Sequence, residues 1–399
     1  MVGRLLQMGG LSELLATRRV LVTVGSGGVG KTTTAAALAV RAAMDGRHVL
    51  CLTIDPARRL ANSLGLDEMT RDEQEVGAEL FAKHGLELKG ELSAMMLDTK
   101  RTFDDLVSTY ASSDEVRDRI LNNQIYKYVA TSLAGTQEYM AMEKLHAVRA
   151  DKDWDLIILD TPPTSNALDF LDAPERMVDA IDSPAMRWFI QAFEGAGKFS
   201  FGLVGKGAAF LLRGLSKFTG TGFLEQIAEF VTGLNDLFGG FRTRAAEISG
   251  ALRSPEVGFI VVTSPAPLAI REASFFADRL EDSGMRRDAV VVNGVHRLLP
   301  EPSVPDEDLE AAFAEALPSM DPEKALDRTR RALDDERLRG VADRIESDRL
   351  RAKITGPGAE NEGHTAFVEV PALEEDVHDL GALARIAAYL TGDGDGGGA

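Results

Sequence analysis

Cysteine is nearly missing from this chain: Cys51 is the only one in 399 residues. Intrachain disulfides and multi-cysteine metal sites are therefore excluded. Cys51 falls in a run that reads as a buried strand and is assigned to the core. Basic residues are also scarce. Lys and Arg number 44 against 63 Asp and Glu, giving a formal net charge of −19. That balance argues against a nucleic-acid surface, which needs clustered cations opposite the phosphates. No charge-free apolar run reaches the roughly 18 residues of a membrane span, and Met1 to Gly10 lacks the apolar core of a signal peptide. The chain reads as cytoplasmic. With 44% hydrophobic residues it can bury a large core, enough for one large or two moderate domains.

Glycine is concentrated where it matters. Gly25-Ser26-Gly27-Gly28-Val29-Gly30-Lys31-Thr32 is a complete phosphate-binding P-loop, followed by Thr33. The apolar run Val20 to Val24 precedes it as a strand, and the alanine-rich stretch Thr32 to Met44 follows as a helix. Glycines let the backbone curl so that successive N–H groups face phosphate oxygens, and the helix N-terminus adds a favourable dipole. Lys31 is expected to neutralise the β- and γ-phosphates, and the Thr32 hydroxyl to ligate Mg²⁺. The loop occurs once, so no tandem duplication is expected.

Two carboxylates stand at the ends of later apolar runs. Asp55 follows His48 to Thr53 and can orient or deprotonate an attacking water. Asp160 ends Trp154 to Leu159 and suits a Walker B role, holding Mg²⁺ directly or through water. Pro162-Pro163-Thr164-Ser165-Asn166 then follows, placed to register the γ-phosphate. Further strands are expected at Val257 to Thr263 and Ala289 to Val292. Alternating with helical stretches, they predict a mostly parallel α/β sheet covered on both faces.

Two segments stand apart. Ten of the eighteen phenylalanines fall between Trp188 and Phe241, which marks 185–250 as a helical subdomain with an apolar face. Three readings are open for it: a hairpin packed on its own domain, a surface for an apolar protein or lipid client, or a peripheral membrane contact. Residues 301–353 crowd acids with arginines and predict a solvated helical segment with i,i+4 pairing. Residues 1–19 form a leading segment, 20–390 the main domain, and 391–399 a glycine-rich tail with too little apolar surface to order itself.

From about Val20 to Leu390 the chain resembles the ArsA-type P-loop ATPases, a family that includes arsenite-pump ATPase subunits and the ATPase that delivers tail-anchored membrane proteins. Gly135-Thr136-Gln137-Glu138-Tyr139-Met140-Ala141-Met142-Glu143-Lys144-Leu145 is particularly similar to actinobacterial members. The resemblance places Asp55-Pro56-Ala57 at switch I and Asp160 to Thr164 at switch II. It implies that Asn293, closing Val291-Val292-Asn293, reads adenine, and that Pro371 belongs to the loop over the base. The implied ligands are ATP and Mg²⁺, with hydrolysis of ATP by a dimer whose nucleotide state is coupled to an apolar client or partner surface.

The departures from the family pattern carry as much information. Ser26 stands where the relatives carry a signature lysine that reaches across the dimer interface, and serine cannot supply that charge. Arg58 and Asn166 replace the two switch histidines. The resemblance therefore leaves two assemblies open, a homodimer and a heterodimer with a related ATPase that carries the lysine, in which this chain is an ATP-binding regulatory subunit. One cysteine can support neither thiolate binding of arsenite nor the Cys-x-x-Cys zinc clamp of tail-anchor relatives, so an arsenite-pump role and structural zinc are not expected.

Overall fold

Runs of β-branched and aliphatic residues make the strands at the centre of the molecule, and those of Val20–Val24, Leu156–Asp160 and Val257–Thr263 are buried at every position. Such strands need cover on both faces, the situation of a parallel sheet. The computed structural model describes residues 10–54, 59–132, 136–150, 153–161, 171–184, 230, 240–300, 304–316, 319–356 and 365–393. Its strands are β1 (Val20–Val24), β2 (His48–Thr53), β3 (Gln74–Glu75), β4 (Glu91–Met96), β5 (Leu156–Asp160), β6 (Val257–Thr263), β7 (Arg287–Val295) and β8 (Ala366–Pro371). They form one eight-stranded sheet in the order β3-β4-β2-β5-β1-β6-β7-β8, parallel throughout except for the short β3–β4 pair. This is the α/β arrangement of a P-loop NTPase.

One face of the sheet is covered by the helices Lys31–Met44 and Leu380–Thr391, which pack on each other. Six alanines of Lys31–Met44 are buried, so small side chains bring this helix close to the strands. The opposite face carries Thr99–Tyr110, Thr136–Ala150, a helical stretch at 240–252, Pro267–Asp282 and the lower part of Pro322–Thr355. Among the described residues no helix is long and apolar enough to cross a membrane.

Several boundaries differ from expectation for identifiable reasons. β5 starts at Leu156 because Trp154 stacks on His48, with ring centroids 4.4 Å apart, and the Asp155 carboxylate accepts from the His48 N–H. β7 begins earlier than expected, at Arg287, because two charged residues are neutralised inside the fold. Asp288 pairs with Arg18 at 2.6 Å, and Arg287 pairs with Glu281 at 3.5 Å and donates to the Ala277 carbonyl. β4 escaped the sequence reading because Glu-Leu-Ser-Ala-Met-Met lacks β-branched residues.

The charged segment is helical at Asp306–Ala316 and Pro322–Thr355, with exposed pairs such as Arg331–Asp327 at i,i+4. It is less solvated than expected near its end, where Ser347, Leu350 and Ile354 are buried. There Glu369 of β8 accepts from Ser347, Arg351 and Arg344, and Arg351 lies 4.5 Å over the Phe367 ring. At the chain end, Thr391 closes its helix, Gly392 caps it in the left-handed region, and Asp393 pairs with Arg41 at 2.6 Å. The unstructured tail expected from Thr391 does not include these three residues.

Candidate nucleotide site

The site grows from the register of three strands. Pairing of β2 with β5 and of β5 with β1 sets Thr53, Asp160 and Thr23 side by side at the carboxyl end of the sheet. β1 lies between β5 and β6, where the chain's crossovers diverge to opposite sides, the usual position of a ligand crevice in such sheets. The loop Gly25 to Gly30 leaves β1 at this point and runs into the helix that starts at Lys31.

Two glycines have steric reasons to be glycine. A Cβ on Gly25 would lie 2.0 Å from the Val262 carbonyl oxygen of β6, so the loop can hug the neighbouring strand only without a side chain. Gly30 has φ +95°, and a Cβ there would sit 2.2 Å from Asn293 Nδ2. The Asn293 amide itself donates to the Val29 carbonyl at 3.0 Å, bracing the loop from the end of β7.

Lys31 is only 6% exposed, and its Nζ donates to the Ser26 carbonyl at 2.8 Å. The Thr32 hydroxyl donates to Asp160 Oδ2 at 2.7 Å, and Thr53 Oγ1 donates to the same oxygen at 3.1 Å. Asp160 is fully buried. Below it, Thr161 Oγ1 donates to the Thr23 carbonyl at 2.7 Å, tying β5 to β1 beside the loop. The Cys51 thiol, buried on β2, is pushed above its ordinary pKa by burial and by the charge of Asp160, so it is an inert core group.

A cleft of about 880 Å³ opens over these groups. At one end lie Gly28, Gly30, Lys31, Thr32, Thr33, Thr53 and Thr161. At the other lie Val370, Pro371, Ala372, Leu373, Val377 and Ile386 together with Glu375, Asp376 and His378, with Asn293 between. Lys31 is the only Lys or Arg among its described lining residues. One end carries Lys31 and hydroxyls, and the other sets an apolar patch beside two carboxylates and a histidine, room for a polyphosphate at the first and a base on the apolar patch. Thr32 and Asp160 supply hard oxygens suited to Mg²⁺.

Thr32, Asn293 and Pro371, drawn from three separate places in the sequence, thus line one cleft, and buried Asp160 lies behind Thr32. Asp55, Arg58 and Pro162 to Asn166 lie outside the described residues, as does most of the Phe-rich stretch. Thr53 was not anticipated, and Thr161 was expected only as a member of switch II. Thr53 could have been found from its place at the end of β2, because a parallel neighbour at that level faces the strand-end acid.

Residues 18–199 match the ArsA_ATPase family, described as anion-transporting ATPase. Among curated proteins similar to this chain, the ATPase get3 of Aspergillus terreus is 30% identical over 166 residues, 41% of this chain and 46% of that protein. The ATPase GET3 of Chaetomium globosum is 31% identical over 157 residues, 39% of this chain and 43% of the relative. That of Pyrenophora tritici-repentis is 30% identical over 169 residues. The chain spans less than half the length of these relatives. The family match contains the P-loop and Asp160 but ends before β6, so Asn293 and Pro371 rest on the geometry of the cleft.

Proposed function

We propose that the protein is a Mg²⁺-dependent ATPase that works as a dimer and couples its nucleotide state to an apolar client or partner surface. The observation that carries the reading is that Lys31 and Thr32 line one end of a cleft, with buried Asp160 held behind Thr32, while the other end offers the apolar patch of Val370, Pro371 and Leu373. The loop N–H groups and Lys31 would hold the phosphates. Thr32 and Asp160 would hold Mg²⁺, which when bound offsets charge on the phosphate oxygens. Asp55 is assigned to orienting the water whose oxygen bonds to the γ-phosphorus as the bond to the bridging oxygen breaks, leaving ADP and phosphate. Asn293, set between the loop and the apolar wall, supports adenine selection.

Phosphate release tests the assignment. Asp55→Asn should bind ATP as the wild type does and turn it over more slowly, and unchanged turnover would remove Asp55 from the chemistry. Hydrogen exchange between Trp188 and Phe241 should respond to nucleotide, and an unchanged pattern would argue against a coupled client surface.

Ser26 favours a second reading, an ATP-binding regulatory subunit of a heterodimer. The backbone carbonyl of Ser26 accepts from Lys31, and the serine side chain supplies no cation for a neighbour. Mixing with a related ATPase that carries the loop lysine should then raise turnover more than additively. Simple additivity would reject this reading in favour of a homodimer. An arsenite-pump role has the weakest support, since the single Cys51 is buried.

A further inference from the structure

The two strands that flank β1 are each fed by a helix, and those helices are clamped together. Thr136–Ala150 leads into β5, and the stretch at 240–252 leads into β6. At their lower ends Arg149 pairs with Glu256 at 2.6 Å, an exposed contact. Higher up, the Arg244 Nε donates to Glu143 Oε1 at 2.6 Å, with the Glu143 side chain only 4% exposed. Beside this pair the Phe241 ring sits among Phe103, Tyr110 and Tyr139, with centroid separations of 6.0, 6.5 and 6.5 Å. Gly240 is glycine because a Cβ would lie 2.4 Å from the Tyr110 ring.

The clamp is buried but only half satisfied. Glu143 Oε2 and the Tyr139 hydroxyl, one helical turn apart, are both buried without a hydrogen-bond partner among the described residues. So is His146 Nδ1, on the same helix face. Buried carboxylate and hydroxyl oxygens strongly favour being paired, so an arrangement that satisfies both lies close in energy to this one. A buried ion pair is also either made or broken, since neither charge can slide partway into an apolar contact.

We infer that Glu143, Arg244 and Tyr139 form a two-position joint through which nucleotide at the P-loop shifts the 240–252 helix. The route is short. Asp160 at the end of β5 takes the Thr32 hydroxyl, so filling the site loads β5 against β1. The Thr136–Ala150 helix that feeds β5 then moves relative to the 240–252 helix that feeds β6. In the second position Glu143 Oε2 takes the hydrogen bond that Tyr139 can donate. The 240–252 helix directly follows the Phe-rich stretch, so the joint is where a client surface would read the nucleotide. The inference rests on the ATPase reading above and names its internal linkage.

Hydrogen exchange of the 240–252 amides, with and without ATP and Mg²⁺, tests the joint in the full chain, while isothermal titration follows ATP binding separately. In the wild type, ATP should change exchange there by about threefold or more. The double variant Glu143→Met/Arg244→Met replaces the pair by apolar side chains of similar length. It should bind ATP within about twofold of the wild type and lose the exchange response. Tyr139→Phe keeps the ring and is the variant safest for folding. It should bind ATP normally and show a response reduced by at least half. A wild-type response in Tyr139→Phe, or in a folded double variant, overturns the joint. So does wild-type protein that binds ATP with no change at 240–252. Failure of the wild type to bind ATP would instead overturn the ATPase reading.

Discussion

The nucleotide end of the sheet and the helical layer behind it differ in how many of their buried polar atoms are paired. Around the P-loop, each polar side chain named above has a partner at short range: Thr32 and Thr53 on Asp160, Thr161 on Thr23, Asn293 on Val29 and Lys31 on Ser26. In the helical layer, Glu143, Tyr139 and His146 carry buried atoms without partners among the described residues, around one ion pair. A more completely paired network holds its geometry more firmly than a half-satisfied one. The first suits a preorganised binding site and the second suits a part that moves.

The sharpest way to break this comparison is to remove Arg244. Arg244→Met leaves the Glu143 carboxylate buried and uncompensated, and should cost about 3–5 kcal/mol in denaturant unfolding at neutral pH. The loss should depend on pH with a defined sign. Burial already holds the Glu143 carboxyl above its ordinary pKa, with Arg244 pulling against it. Without Arg244 that value rises further. An acid with a raised folded value favours the fold below its unfolded range and loses that contribution as pH rises through the folded value. The deficit of Arg244→Met should therefore shrink as pH is lowered toward the ordinary carboxylate range, and a deficit that grows on acidification would contradict the placement of Glu143.

On the nucleotide side, Lys31→Met should lower ATP turnover by roughly 10²–10³-fold, equivalent to about 3–4 kcal/mol of transition-state stabilisation, with little change in thermal stability. A smaller effect follows for Gly30→Ala. The left-handed backbone and the close approach of Asn293 should together cost about 2–3 kcal/mol, read by thermal unfolding, and Gly30→Ala/Asn293→Ala should recover part of it. Least of all, Tyr139→Phe should be neutral or stabilising by about 1 kcal/mol without nucleotide, because it deletes a buried hydroxyl that has no partner. A loss above about 1 kcal/mol would show that the hydroxyl is bonded.

The same division explains what could be read in advance. The P-loop is local: its glycines, Lys31 and Thr32 lie within eight consecutive residues, and the strand and helix around it follow from hydrophobic pattern and alanine content. Asp160 was legible because an apolar run ends in an acid. Its contact with Thr53 was not, because it spans 107 residues and exists only through the register of β2 on β5. Arg244 and Glu143 are 101 residues apart on two helices, and nothing in either segment announces the other. The early start of β7 was hidden for the same reason, since Asp288 reads as a strand end until Arg18, 270 residues away, neutralises it. Asn293 was expected to face adenine; in the fold its amide donates to the Val29 carbonyl and braces the phosphate loop.

The central claim is that Thr32 and Asp160 form the metal-holding heart of an ATP-hydrolysing site. Phosphate release from ATP, measured for the wild type and for Asp160→Asn with and without Mg²⁺, tests it most directly. The account predicts Mg²⁺-dependent release by the wild type, and a folded variant whose release is low and no longer responds to Mg²⁺. Wild-type release that is absent or independent of Mg²⁺, or an Asp160→Asn protein as active and as Mg²⁺-responsive as the wild type, would contradict it.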